Sequence, residues 1–179
     1  MSFKSNYKTK ILPALQKELG KKSLYNVPHL EKVIVNIGIG SYVLTKDKDY
    51  QPIFDRVEAI TGQKPVLIEA RKAISNFKLR AGMPNGIRVT LRGDRMFAFL
   101  ERLIHVALPR TRDFRGVSKR AFDGNGNYSM GITEMSIFPE VRIDDMGKMH
   151  GLQVNIVTST NSDADAFSLL EKIGVPFRK

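Results

Sequence analysis

The sequence predicts an α+β fold in a single domain, with a mainly antiparallel sheet that carries helices on one face and leaves the other face open. Apolar residues recur at helical spacing in some segments and at strand spacing in others. No repeat or low-complexity tract divides the chain, and 179 residues, 42% of them apolar, can bury one substantial core. We therefore expect residues 1–179 to form one domain, with a loop-rich lobe around residues 110–150.

Two amphipathic helices are predicted in the first third of the chain. The first spans residues 5–19 and ends at Gly20, and Pro13 should kink it or mark its true first turn. The second spans residues 50–60, and Gly62 just beyond it can supply a left-handed C-terminal cap. Each helix has an apolar stripe that can cover one face of a sheet.

The first strand is predicted at residues 31–39, where apolar residues alternate with the period of two. Because successive side chains of a strand point to opposite faces, Asn36 should point away from the core. A second, short apolar strand is predicted at residues 65–69. The core face of the first strand consists of Val33, Val35, Ile37 and Ile39.

A β-hairpin is predicted next, with strands at residues 75–80 and 87–92. The intervening segment contains Gly, Pro and Asn-Gly, which are typical of a chain reversal. One face of each strand is apolar and the other is polar and largely cationic. The polar face carries Asn76, Lys78, Arg80, Arg88, Thr90 and Arg92.

The last part of the chain alternates helix, loop, strand and helix. Residues 94–108 have a wide apolar helical stripe that a proline ends, and residues 110–131 are rich in Arg, Gly, Asn and Ser, which predicts a long loop. Residues 152–158 alternate as a strand. Ser162 then caps a final helix that ends before Gly174.

Positive charge is concentrated in the first two thirds of the chain. Residues 1–120 hold 24 basic and 10 acidic side chains, whereas residues 121–179 hold 5 and 8. The segment 71–92 has six cations and no acidic residue. This asymmetry favours a surface for a polyanion or an anionic membrane over an acidic metabolite. The alternative is an ordinary solvated basic face.

Several kinds of chemistry are excluded or disfavoured. Cysteine is absent, which removes disulfides, thiolate metal sites and cysteine nucleophiles. The three histidines are scattered without metal-ligand spacing, and the glycines near residue 124 lack a P-loop lysine. No signal peptide or membrane-length apolar run is present, so a cytoplasmic location without a membrane partner is expected.

An open cationic face can place Lys and Arg against phosphates while amide and hydroxyl groups reach sugar or base edges. Few aromatics lie on that predicted face, so structured RNA fits better than a free single strand. Two rival classes remain at this point. An RNA-modifying enzyme needs a concave pocket with a base, metal or cofactor, and a peripheral membrane protein needs an exposed amphipathic helix.

Seven strings decide between these classes: VPHLEKVIVNIGIG, ITGQKPV, FKLRAGMPNGIRVTLRG, RLIHVALPRTRDFRG, FDGNGNYSMGI, IFPE and PFRK. In this order and over nearly the whole chain, they resemble bacterial large-subunit ribosomal protein five. The resemblance implies a ribosomal protein of the central protuberance without catalysis or a cofactor. The implied partners are 5S ribosomal RNA, 23S ribosomal RNA, P-site transfer RNA, small-subunit ribosomal protein thirteen across an intersubunit bridge, and neighbouring 5S-associated large-subunit proteins.

The resemblance also implies residue roles. Contacts to 5S ribosomal RNA carry over to Asn36, Gln63 and Thr90, and the basic neighbours expected to hold its phosphates are Lys64, Arg88 and Arg92. The other cations expected to bind RNA are Arg71, Lys72, Lys78 and Arg80.

Two further segments resemble parts that meet other partners. The loop expected to contact transfer RNA comprises Ala81, Gly82, Met83, Pro84, Asn85 and Gly86. Asn85 departs from the family pattern, in which an apolar residue is more usual there. The residues expected at the subunit bridge are Arg110, Arg112, Asp113, Arg115, Arg142, Asp144 and Asp145.

Overall fold

The computed structural model describes residues 3–43, 50–141 and 150–178, with the side chains of residues 41 and 42 outside the description. Within these residues five strands form one antiparallel sheet in the order β2-β3-β1-β5-β4. The predicted α+β fold with an antiparallel sheet is confirmed. The strands are β1 Leu30–Gly38, β2 Val66–Glu69, β3 Pro84–Leu91, β4 Tyr128–Ile132 and β5 Leu152–Thr158.

The first predicted helix is built from three consecutive segments. They are α1 Phe3–Asn6, a π-helical segment Tyr7–Ile11, and α2 Leu12–Glu18. Pro13 lies in the first turn of α2, directly after the π-helical segment. A proline ring clashes with the carbonyl four residues back, and a widened turn before it accommodates the ring. The backbone is helical before and after Pro13, so the predicted alternative in which Pro13 marks the true first turn of the helix is wrong.

Three other helices follow the predicted positions closely, namely α4 Gln51–Thr61, α5 Gly93–Arg102 and α6 Asp163–Ile173, whereas the short helix α3 Gly40–Val43 was not predicted. The long helix α5 continues through a π-helical turn, Leu103–Ala107, and a 3-10 turn, Leu108–Arg110. Gly62 caps α4 with a φ of 65°, and the Ser162 side chain accepts a hydrogen bond from Asp165 N at the start of α6, both as predicted.

The core lies on one face of the sheet. Nine inward residues of β1, β3 and β5 are each 4% exposed or less. The apolar stripe of α5 is buried in full, and Phe99 stacks on Phe138 with ring centroids 6.0 Å apart. Burial of these side chains drives the sheet and helices together. The inward sheet residues are Val33, Val35, Ile37, Ile87, Val89, Leu91, Leu152, Val154 and Ile156.

The predicted hairpin is wrong in its first strand. The partner of β3 is β2, with Val66 opposite Arg88, and residues 70–83 form the β2–β3 connection. Within this connection Ser75–Phe77 is a 3-10 turn, and Lys78 has a left-handed φ of 51°. A single bridge from Ile74 to Leu79 closes the turn. The apolar alternation there has no core beneath it, so it cannot hold a strand in place.

The predicted reversal at residues 81–86 is half wrong. Pro84, Asn85 and Gly86 belong to β3, and only the three residues before them lie in the connection. A Cβ on Gly86 would come within 3.2 Å of the Ile37 carbonyl oxygen. This glycine therefore permits close packing of neighbouring strands.

The predicted loop 110–131 is shorter than expected because its end belongs to β4. The Asp163 carboxylate accepts hydrogen bonds from Gly124 N at 3.1 Å and Gly126 N at 2.8 Å. A Cβ on Gly126 would lie 2.1 Å from the Thr160 carbonyl oxygen. The glycine string is thus a turn that a carboxylate at the start of α6 holds in place.

Tyr7 ties the N-terminal helix to the sheet, and we expect Tyr7→Phe to destabilise the fold. Its hydroxyl oxygen accepts a hydrogen bond from Leu30 N at 3.1 Å, and burial raises the pKa of this phenol to about 12, so it is neutral. Removing the acceptor leaves a buried N–H unpaired, which costs about 1–3 kcal/mol of unfolding free energy.

Urea denaturation measures this change, and Tyr25→Phe is the matched control. The Tyr25 side chain is 96% exposed, so its hydroxyl can bond to water in both the folded and the unfolded state. We expect the control to unfold at the wild-type urea concentration. An unchanged midpoint for Tyr7→Phe would contradict the assigned role of this hydrogen bond.

Candidate nucleic-acid interface

Strand register orders the side chains of the open face. Asn36 of β1 pairs with Arg88 of β3 on one side and with Gln153 of β5 on the other. The same row continues to Val66 of β2 at one edge and to Gly131 of β4 at the other. Arg88, Gln153, Val66 and Gly131 are exposed, and Asn36 is half-buried. The row is cationic in its β3 part and uncharged across β5 and β4.

The next row places Thr90 beside the first. Thr90 pairs with Ile34, which pairs on its other side with Asn155. Thr90 and Arg88 lie two residues apart on β3, so both side chains stand on the same face. Asn36, Arg88 and Thr90 are therefore neighbours, as the strand periods of β1 and β3 predict.

Gln63 reaches this group from outside the sheet. The left-handed cap at Gly62 turns the chain after α4, and Gln63 Nε2 then donates a hydrogen bond to the Thr90 carbonyl oxygen at 3.3 Å. Gln63 Oε1 accepts a hydrogen bond from Arg95 Nη1 at 3.4 Å. Asn36, Gln63 and Thr90, here called the polar cluster, thus lie together although they come from three separate segments.

Arg95 is a residue that sequence reasoning did not single out. It lies in the first turn of α5 and orients the Gln63 amide while its own side chain stays exposed. The sequence signal that could have identified Arg95 is its position three residues after Arg92. Residues at that spacing near the start of a helix can lie on the same surface. Arg95 adds a cation beside the polar cluster.

The cations assigned to phosphates fall into two groups. Lys64, Arg88 and Arg92 are exposed around the polar cluster, and none forms an ion pair within the described residues. The second group lies in the β2–β3 connection and is also exposed, so the prediction that Lys78 and Arg80 belong to the sheet face is wrong. That group consists of Arg71, Lys72, Lys78 and Arg80.

Phe77 is the other residue whose environment the pattern misjudged. The predicted strand placed it on the apolar side, whereas the structure leaves it 68% exposed in the β2–β3 connection. Lys78 follows it directly, and no acidic residue occurs in residues 70–83. An exposed aromatic among cations is suited to stacking on a nucleobase.

The segments expected to meet other partners lie in separate parts of the chain. Ala81, Gly82 and Met83 form the end of the β2–β3 connection, next to the cations above. Arg110 ends the helical turn after α5, and it lines a cavity of about 220 Å³ together with Arg112 and Glu134.

Asp113 and Arg115 are exposed on the segment that follows this turn. Three of the residues expected at the bridge lie outside the described residues: Arg142, Asp144 and Asp145.

The polar cluster lies outside three cavities among the described residues. These cavities measure about 340, 220 and 410 Å³, and none is lined by a member of the polar cluster, although Ser129 and Gly131 of β4 line the first. Across residues 3–43, 50–141 and 150–178 no three His, Asp or Glu side chains group as a metal site. In the same ranges no helix has both the length and the apolar character to cross a membrane.

Comparison with known proteins agrees along nearly the whole chain. A family model described as "Ribosomal protein L5" matches residues 23–80, and the model for the C-terminus of the same ribosomal family matches residues 84–177. The boundary between the two matches falls between β2 and β3, which are neighbours in one sheet. Both matched segments therefore contribute to the same sheet.

Many curated relatives carry the name "Large ribosomal subunit protein uL5", and two of them illustrate the similarity. The one from Acholeplasma laidlawii is 51% identical over 178 residues, which are 99% of this chain and 98% of the relative. The one from Chloroflexus aggregans is 51% identical over 175 residues, which are 98% and 97% of the two chains. The chain is thus a structural, non-enzymatic component of the large ribosomal subunit. It belongs to the ribosomal protein L5 family.

Proposed function

We propose that this protein binds 5S ribosomal RNA through the polar cluster and its surrounding cations and helps attach that RNA to the large subunit. The observation that carries the proposal is the convergence of Asn36, Gln63 and Thr90 from three chain segments onto one cationic surface. The β5 and β4 part of the same face carries Gln153, Asn155 and Ser129 without a cation of its own. RNA therefore lies on the β1 and β3 half.

The cationic side chains and the uncharged polar side chains have different roles in this binding. Lys64, Arg88 and Arg92 neutralise phosphates, which supplies affinity that does not depend on sequence. The amides and hydroxyl of the polar cluster bond to sugar or base edges and so set the register of the RNA. An unmade hydrogen bond at a desolvated polar group costs about 1–3 kcal/mol, which makes a misplaced RNA unfavourable.

The remaining partners occupy other surfaces in this proposal. The β2–β3 connection, with its four cations and exposed Phe77, contacts P-site transfer RNA, and 23S ribosomal RNA meets the basic surface beside it. The segments around residues 110–115 and 142–145 bridge to small-subunit ribosomal protein thirteen in the central protuberance. Neighbouring 5S-associated large-subunit proteins complete the environment.

The affinity for 5S ribosomal RNA should fall steeply with salt. If about six to eight phosphates are neutralised, the slope of log affinity against log salt is about −4 to −6. Filter binding of the wild-type protein over a potassium chloride series measures this slope.

Arg88→Gln is the informative variant for this titration, since it removes one exposed cation from the face. Its slope should be shallower by about one phosphate's share. A wild-type slope near zero would contradict phosphate-driven binding.

A further inference from the structure

Tyr25 is presented to solvent by a well-defined turn. Its side chain is 96% exposed, and that of its neighbour Leu24 is 46% exposed. Both belong to the 3-10 turn Leu24–Asn26, and the Ser23 side chain caps this turn by accepting a hydrogen bond from Tyr25 N at 3.3 Å. The Tyr25 ring therefore packs against almost none of the protein's own side chains.

The chain on either side of the turn is anchored. Gln16 Nε2 donates hydrogen bonds to the carbonyl oxygens of Lys21 at 3.2 Å and Lys22 at 3.5 Å. After the turn, Val27 is 2% exposed and belongs to the core. The turn is therefore held at both ends, and the exposed ring is a fixed feature of the surface.

The chain segment that contains Tyr25 carries positive charge and no negative charge. Residues 19–30 contain no acidic residue. Lys21 pairs with Asp165 at 3.4 Å, whereas Lys22 is exposed and makes no ion pair in the described part of the chain. A polyanion can approach this turn without meeting a carboxylate on the turn itself.

The turn also lies near one end of the proposed RNA surface. It precedes β1 by a few residues, and an extended chain of five residues spans at most about 17 Å. At this end of β1, Val33 pairs with Leu91, so Lys32 and Arg92 follow next on the two strands. Tyr25 therefore lies within about 17 Å of the start of β1, the end of the sheet at which Lys32 and Arg92 occur.

We infer that Tyr25 is a stacking platform for an unpaired nucleobase of ribosomal RNA and that Lys22 contacts an adjacent phosphate. The inference rests on the proposed function, because it takes an RNA on the neighbouring face as given. Exposed aromatic rings gain binding energy by stacking on bases, and a nearby cation strengthens such a contact. A partner protein with an apolar patch would leave Lys22 without a counter-charge.

Tyr25→Trp is a direct reporter because the chain contains no tryptophan. Stacking on a base should quench its fluorescence and shield it from acrylamide. Separate titrations with purified 5S ribosomal RNA and with 23S ribosomal RNA free of 5S identify which RNA supplies the base. Val106→Trp is the matched control, since Val106 is exposed on the long helix away from the open face. It should show no quenching with either RNA.

Affinity measurements complete the test. Tyr25→Ala should weaken binding to the quenching RNA roughly tenfold to a hundredfold, while Tyr25→Phe keeps the wild-type affinity because stacking needs the ring and not the hydroxyl. Because the side chain is exposed, both variants should unfold as the wild type does.

Different results would contradict the stacking role of Tyr25 and the proposed binding of 5S ribosomal RNA. No quenching with either RNA and wild-type affinity for Tyr25→Ala would overturn the stacking role, even if wild-type protein binds 5S ribosomal RNA tightly. Quenching with 23S ribosomal RNA alone would support the stacking role, even if 5S ribosomal RNA does not bind.

Discussion

Replacing Asn36, Gln63 and Thr90 together by alanine is expected to abolish specific binding of 5S ribosomal RNA. Each replacement removes a polar partner whose loss in a desolvated contact costs about 1–3 kcal/mol. Since about 1.4 kcal/mol corresponds to a tenfold change in affinity, the triple variant should bind on the order of a thousandfold more weakly. Filter binding at fixed salt measures the loss, and the residual binding should match that to an unrelated RNA.

The open face also offers a matched control with the same types of side chain as the polar cluster. Gln153, Asn155 and Ser129 lie on the β5 and β4 half and can be replaced together by alanine. This control removes one Asn, one Gln and one hydroxyl, as the first variant does, but no RNA contact is proposed there. It should bind within a few fold of wild type. Equal losses in both triple variants, or tight binding by the first, would contradict the assignment of the polar cluster.

Gly38→Val is expected to lower RNA affinity without lowering stability. Gly38 is exposed on the open face opposite Gly86, and a Cβ there would meet no atom of the described residues within 4 Å. Valine favours strands and loses less backbone entropy than glycine on folding, so unfolding free energy should stay equal or rise by up to about 1 kcal/mol. The new side chain stands two residues from Asn36 and holds the RNA away from it.

The loss of affinity for Gly38→Val should reach about tenfold or more, since displacing even one or two hydrogen bonds has that effect. Gly131→Val is its control, because Gly131 is also an exposed strand glycine whose added Cβ would meet none of the described atoms within 4 Å, but it lies on β4. That variant should keep wild-type binding. A Gly38→Val protein that binds as wild type would show that RNA does not approach this part of the sheet.

Much of the fold could be predicted because its signals are local. The alternation in β1 and the stripe of α5 each run over many residues, so one period clearly dominates. Gly62 and Ser162 mark helix ends through the backbone and side-chain chemistry of single residues. These features do not depend on which distant segment packs against them.

The predicted strand at residues 75–80 was wrong because strand pairing is not a local property. Residues 75–80 alternate over only six positions, whereas β3 pairs with β2 across a long connection. The Asn-Gly pair that contains Gly86 is typical of a turn. In the structure a glycine is needed there because a Cβ would crowd the Ile37 carbonyl oxygen. A sequence does not distinguish a glycine that turns the chain from one that admits a neighbouring strand.

The candidate site was predictable in part for the same reason. Strand periodicity placed Asn36, Arg88 and Thr90 on the face opposite the core. The contact of Gln63 with the Thr90 backbone depends on how α4 packs, and only the family resemblance pointed to it. The exposure of Tyr25 depends on tertiary structure, and the sequence pattern contains no signal for it.

Specific binding of 5S ribosomal RNA can be tested by competition with another structured RNA. Wild-type protein is titrated with labelled 5S ribosomal RNA in the presence of increasing unlabelled transfer RNA. We expect tight binding that a large excess of transfer RNA does not displace, because the polar cluster recognises groups other than phosphates. Displacement by an equal concentration of transfer RNA, or no retention of 5S ribosomal RNA, would contradict it.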